Sequence, residues 1–436
     1  MLIEARWVLP VAPRAAPLAD HAVAIRDGRI LEVGPRDELA ARYVSRERIV
    51  RNAHALLPGF VNAHTRAGRT LLRGRGGSAR ARTPEERWVS RDVVRDGTRI
   101  AVAEMLRAGI TAFATNDLYP EEAARIAASA RIRAAIGLPF ADVTAWAEGT
   151  TAHLEHAERL WDEYKSDPWV SLYFAPQTPD AIDDASLTRL RTVADELDAR
   201  VAMPVHQSQG DIRHAVAQGG RRPLRRLGDL GLLRPGFVAL HLTQLEPAEL
   251  ELVARTGIAV VACTRSNLRL GHGAAPLKRL LEHAVTVGLG TGSPATGLAF
   301  DPLAETRAAA LLTGGLDGGA EPLAPEEALR LATLDGAIAL GLGSVVGSLE
   351  SGKAADIVAV DLSTAPSLAA HAPAEAVVLA ATREQVSDVW VGGRACVAEH
   401  RLLTYDIEEL RTLERDWDAR LPPHAPSETL RQGVPG

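Results

Sequence analysis

The sequence predicts an α/β fold: a (β/α)8 TIM-like barrel, with a small composite β-sandwich formed by the N- and C-terminal segments. Three observations predict it. Between Gly59 and about Leu340, eight strand-like apolar runs alternate with helical stretches. Before them lie short alternating runs broken by tight turns, and after them strands return. The implied units are residues 1–57 and 346–405 for the two parts of the sandwich, 58–345 for the barrel, and 406–436 for a terminal helix and tail.

From Leu2 to about Pro58, runs such as Ala22–Ile25 and Arg29–Val33 are interrupted at Asp27-Gly28 and Gly34-Pro35, which reads as a β meander. The eight barrel strands are expected at Phe60–Arg66, Ile110–Ala114, Arg133–Leu138, Val170–Ala175, Arg200–Val205, Phe237–Leu242, Ile258–Ala262 and Val285–Thr291. Thr98–Leu106 carries apolar residues three and four apart, and Pro325–Leu340 opens on Pro-Glu-Glu as a first helical turn should. Strands are expected again at Asp356–Leu362, Ala376–Ala381 and Val386–Val397, followed by a helix over Asp406–Leu421 and a frayed tail from Pro422.

With 436 residues, 46% of them hydrophobic, the chain can bury a large core. A formal net charge of −6 gives no electrostatic case for nucleic acid or an anionic membrane as partner. Two cysteines, Cys263 and Cys396, cannot build a disulfide framework or a cysteine-rich zinc site. The first residues carry charges where a signal peptide needs an apolar run, and no segment approaches a membrane span, so a cytoplasmic protein is expected.

The strings that carry chemistry are Pro58-Gly59-Phe60-Val61-Asn62-Ala63-His64-Thr65, Thr70-Leu71-Leu72-Arg73-Gly74, Ala103–Thr111, Ser266-Asn267-Leu268-Arg269-Leu270 and Gly347–Asp356. Taken together they resemble the amidohydrolase superfamily, in the branch of triazine hydrolases and methylthioadenosine/adenosylhomocysteine deaminases, from Ile3 to about Trp417. That resemblance implies hydrolysis of a non-peptide C–N bond by a metal-polarised water held at the carboxyl ends of barrel strands. It also implies His-x-His on strand 1, a histidine on strand 5, an assisting histidine on strand 6 and an aspartate on strand 8.

Matched residue by residue, much of this set is replaced. His64 stands at the first position, but Arg66 holds the second, and a guanidinium does not bind a cation. The strand-5 ligand position falls on Pro204, and the acid/base glutamate becomes Gln207. On strand 8 the aspartate becomes Gly292, and the histidine expected after strand 4 becomes Gln177. His241 keeps the strand-6 position, and Asn267 lies in a retained string. A two-residue shift of strand 5 would bring His206 to the ligand position instead.

From these residues the sequence predicts no cofactor and no resident metal, with His64 as the one retained ligand position. The leading expectation is a catalytically degenerate homologue that binds a small anionic or nucleoside-like ligand, or assembles as a dimer or with an active relative. Two alternatives stand beside it: an active deaminase dependent on zinc or iron and acting on a purine-like substrate, and metal-independent chemistry with His241 as base and Arg66 as clamp. Interior, hydrogen-bonded roles are the plainer expectation for His64, His206 and His241, and an Arg66–Asp117 pair for the arginine.

Arg69–Arg91 holds seven arginines among small residues and reads as a solvated lid. Two lookalikes fail. Gly347–Lys353 spells a phosphate-loop pattern, but Ala354 and a strand follow it, and the loop carrying Ser293 lacks a nucleophile elbow.

Overall fold

The computed structural model describes residues 1–75, 88–141, 144, 146–316, 321–364 and 372–421. Among the described residues, sixteen strands fall into two sheets. Eight of them, β5 (Phe60–Thr65), β6 (Ile110–Thr115), β7 (Arg133–Phe140), β8 (Val170–Pro176), β9 (Arg200–Val205), β10 (Phe237–His241), β11 (Ala259–Ala262) and β12 (Val287–Leu289), run parallel in chain order. Crossover helices cover this sheet outside, which is why its strands read as continuous apolar runs.

The segment after β12 closes the barrel onto β5. Thr65 pairs with Gly292, whose N–H donates to the His64 carbonyl at 3.0 Å. Asn62 stitches the same seam through its side chain, donating to Thr291 Oγ1 at 2.8 Å and accepting from Thr291 N at 2.9 Å. The interior layer combines Ala63, Ala114, Ala135, Ala175 and Ala202 with Tyr173, Val238, Leu240, Val261 and Cys263.

The remaining strands are β1 (Leu2–Val8), β2 (Leu18–Arg26), β3 (Arg29–Pro35), β4 (Arg48–Pro58), β13 (Ile357–Asp361), β14 (Val386–Val391), β15 (Arg394–Ala398) and β16 (Arg401–Leu402). They form one continuous sheet in the order β16-β15-β14-β13-β4-β1-β2-β3, so the expected sandwich segments from both ends of the chain are hydrogen-bonded into a single unit. β1 and β4 pair in parallel across the helix Arg36–Arg42, which a pure meander does not contain. Its core gathers Ile3, Val23, Leu56, Ile357 and Trp390.

Three expected elements differ, the first being the strand expected over Val386–Val397, which is the hairpin of β14 and β15. Ala376–Ala381 is not a strand: Pro373 opens a helical turn that continues as a π-turn over Ala376–Ala380. Periodicity alone does not separate a short buried apolar run from a helix. Pro325–Leu340 is helical but broken by a π-turn at Leu331–Asp335. Among the described residues no helix is long and apolar enough to cross a membrane.

Candidate active site

The carboxyl ends of β5 and β10 bring His64 and His241 together, their rings meeting edge to face at a centroid separation of 5.5 Å. His241 sits at a left-handed φ of 74°, and Leu242 after it at 46°, which turns the ring in over the barrel mouth. Its Nδ1 lies 2.9 Å from Asn267 Oδ1. With Nδ1–H donating there, Nε2 is left as the proton acceptor.

Burial is the main cause that pushes His241 down to about 4, against the opposing pull of its bond to Asn267. His64 is held well below the ordinary histidine value by burial, by His241 and by Arg66. Both rings are therefore neutral at pH 7 and offer lone pairs rather than protons. His64 Nδ1 and Asn267 Nδ2 are buried without a hydrogen-bond partner, which is uncommon for buried polar atoms.

His206 is elsewhere. Its Nδ1 faces the Gln244 carbonyl at 3.1 Å, its Nε2 accepts from Leu224 N at 3.3 Å, and Glu249 lies 3.7 Å away. Both nitrogens are engaged in holding the segment after β10 and the helix Pro223–Asp229, so the shifted register that would make it a ligand finds no support. Burial pushes it to about 4 as well. Pro204, in register with Leu240, alternates with interior Ala202 and so faces the barrel interior. Gln207 lies just past β9, where its carbonyl accepts from Thr243 Oγ1 at 2.8 Å.

Arg66 stands one residue beyond β5 and lines an adjoining cavity of about 180 Å³ with Arg69, Asn116, Asp117 and the exposed Gln177. Asp117 accepts from Gly68 N at 2.9 Å and Thr115 Oγ1 at 2.6 Å, and Arg69 Nε approaches it at 4.0 Å.

Much of the described arginine segment is not a solvated lid. Arg69 is buried in the 3-10 turn Ala67–Leu72, Arg73 bonds Glu104 at 2.6 Å, and Arg75 and Arg91 reach Asp418 and Glu121. Carboxylates distant in sequence hold Arg69, Arg73 and Arg75 against the fold, while Arg91 stays exposed. Arg80, Arg82 and Arg87 lie outside the described residues.

Sequence reasoning gave Glu305 no place. It lies on the helix Pro302–Leu316, wholly buried behind Cys263, with Oε1 accepting from Arg265 N at 3.1 Å and Oε2 unpartnered. It braces the start of the helix Thr264–Arg269, which carries Asn267. Burial raises its carboxyl to about 8. The unfolded chain releases this proton near the ordinary carboxylate value, so Glu305's contribution to stability is present below that value and is lost as pH rises toward 8. Glu305→Gln keeps the acceptor and removes the charge, and is expected to recover up to about 2.7 kcal/mol between pH 5 and pH 7. Urea unfolding of both proteins at the two pH values measures it. An unchanged pH slope would mean that the carboxyl is already ionised in the fold.

A closed parallel barrel whose two central histidines project from the carboxyl ends of its first and sixth strands defines a barrel of the amidohydrolase type. The amidohydrolase family model matches residues 55–396, and an imidazolonepropionase-like composite domain of bacteria matches 22–43. The chain belongs to the amidohydrolase family. It is 35% identical to a 5-methylthioadenosine/S-adenosylhomocysteine deaminase of Teredinibacter turnerae, over 96% of this chain and 97% of that one. It is 33% identical to a protein of the same name from Saccharophagus degradans, over 97% and 96%. An adenosine deaminase of Xanthomonas campestris with bound zinc superposes with a TM-score of 0.93 at 37% identity, over 96% of this chain and 98% of that one.

The bound zinc of that relative overturns the expectation, drawn from the sequence, of no cofactor and no resident metal. That expectation read the absence of ligands at single matched positions, whereas the likeness to the zinc-bearing enzyme extends over nearly the whole chain. The donors are a separate matter. Among the described residues no group of three or more His, Cys, Asp or Glu side chains is placed to hold a metal ion. His64 and His241 alone do not fit a site of that kind.

Proposed function

We propose that the chain takes a purine nucleoside of the adenosine class at the carboxyl end of its barrel, with hydrolytic deamination as its reaction. The observation that carries this reading is the 35% identity to a 5-methylthioadenosine/S-adenosylhomocysteine deaminase along essentially the whole of both chains. The site supports recognition directly. His241, held by Asn267, presents a neutral acceptor nitrogen, His64 a second, and Arg66 a cation in the adjoining cavity. Zinc belongs to this reading as the relative's metal. Because Arg66, Pro204 and Gly292 stand where further ligands are expected, no catalytic step is assigned to it.

The test is calorimetric titration with 5-methylthioadenosine and adenosine, together with an ammonia assay run with added zinc and with chelator. Saturable binding is expected, weakened about tenfold or more in His241→Gln by loss of a buried hydrogen-bonding group. Chelator-sensitive ammonia release would carry the whole reading, and binding without release would leave the nucleoside site but remove deamination. Absence of binding overturns it. Elemental analysis of the same sample adds the donor question: about one zinc per chain would require ligands beyond His64 and His241.

A further inference from the structure

The barrel is also open at its other end. A cavity of about 450 Å³ lies among the amino-terminal ends of the strands and reaches up to Ala63, Ala135 and Tyr173 in the interior layer. Barrels of this kind fill that layer with bulky branched side chains. Alanine at 63, 135 and 202 leaves room on one side of it, beside Tyr173 and Val238. The volume lies within the range of small-molecule sites.

One charged group is built into this space. Arg200, the first residue of β9, lines the cavity, half-buried. Its guanidinium lies against the backbone of Gly341, where a Cβ would lie 2.4 Å from Nε and would push the side chain aside. Burial disfavours its charged form, with Asp198 opposing weakly from the surface. The Arg200 side chain makes no hydrogen bond or ion pair among the described residues, while its backbone pairs with Tyr173 in the β8–β9 ladder.

Of the other charges lining the cavity, Asp198 acts on Arg200 only through space, and Lys165 and Asp167 have local partners. Lys165 at the rim bonds Asp162 at 2.8 Å, and Asp167 caps Trp169 N and Val170 N at 2.7 and 3.0 Å. A desolvated guanidinium without an anion is costly, and a carboxylate in bidentate contact is its best complement. The deeper wall beyond Arg200 is apolar, formed by Ala63, Ala202, Val238 and Leu340, while Lys165, Asp167 and Asp198 also line the cavity.

We infer that this amino-terminal cavity is a second binding site, for a small amphiphilic carboxylate whose head meets Arg200 and whose apolar tail enters the hollow beneath Ala63. The site is separate from the His64–His241 centre and does not depend on the nucleoside reading.

The test is calorimetry with octanoate as probe, against octanol, which lacks the charge, and inorganic phosphate, which lacks the tail. The expected result is one saturable octanoate site, with octanol and phosphate weaker by about tenfold or more. Arg200→Met, of similar length and apolar, is expected to weaken octanoate by a similar factor, and Ala202→Leu, which fills the hollow, to abolish it. His241→Gln is expected to bind octanoate as the parent does. The inference is overturned if the parent shows no saturable octanoate binding, if phosphate binds as tightly as octanoate, or if both cavity variants, shown folded by circular dichroism, bind octanoate unchanged.

Discussion

Asp356→Ala is expected to lower the unfolding free energy by about 3–5 kcal/mol, the range for breaking a buried ion pair from one side. Asp356 lies just before β13 and receives Arg133 Nε at 3.0 Å and Nη2 at 3.2 Å, in a bidentate contact. Its Oδ1 also accepts from Gly392 N at 2.8 Å. Both side chains are nearly sealed, at 10% and 1% exposure, and the guanidinium stacks 5.0 Å from the Trp169 ring. The alanine leaves that buried cation without a counter-charge, held only by the Pro168 carbonyl at 3.3 Å and the Trp169 face, and leaves the Gly392 amide unsatisfied. Urea unfolding of Asp356→Ala and of the double variant Arg133→Met/Asp356→Leu checks it, since an apolar pair of similar volume should recover most of the loss. If the single variant lost under about 1 kcal/mol, water would have to reach Arg133 and the contact could not be a dry one.

Gly292→Asp, which restores the strand-8 carboxylate that the family resemblance implies, is expected to cost about 2–5 kcal/mol of stability, combining left-handed strain with overpacking. Gly292 has φ +68°, and a Cβ there would lie 2.7 Å from Ser266 Oγ and 2.8 Å from Ser266 Cβ. Its amide and carbonyl are both tied to β5, through His64 O and Thr65 Oγ1, so the backbone cannot withdraw. Ser266→Gly removes both contacting atoms. The double variant should therefore be more stable than the sum of the two single changes, a coupling that thermal unfolding of the four proteins measures. Additive behaviour would show that Ser266 turns aside and that the site accepts the carboxylate freely.

The barrel was legible because its strands are buried on both faces. β9 occupies the six residues expected, Arg200–Val205, and most of the others differ at their ends by one or two. His64 and His241 were legible as a pair because a motif placed each at a strand end, and the structure brings them to 5.5 Å. What sequence could not show is set by contacts between distant segments. His206 looked eligible as a ligand until Leu224 and Gln244 claimed its nitrogens. Arg69 sits in a run that reads as solvated, yet Asp117 draws it inside. Glu305 lies in a helix whose pattern does not mark it as an interior position, and only packing against the helix Thr264–Arg269 reveals it.

The continuous sheet that joins both ends of the chain also constrains how the molecule is made. β4 leaves the ribosome early, with β1 along one edge, but its other edge is completed by β13, some three hundred residues later. Throughout synthesis of the barrel that edge presents unpaired amides and carbonyls, the template on which strands of other chains add. The barrel must therefore form while its own foundation is unfinished, and a chain that stalls before Ile357 leaves the ribosome with an adhesive margin rather than a smaller stable domain.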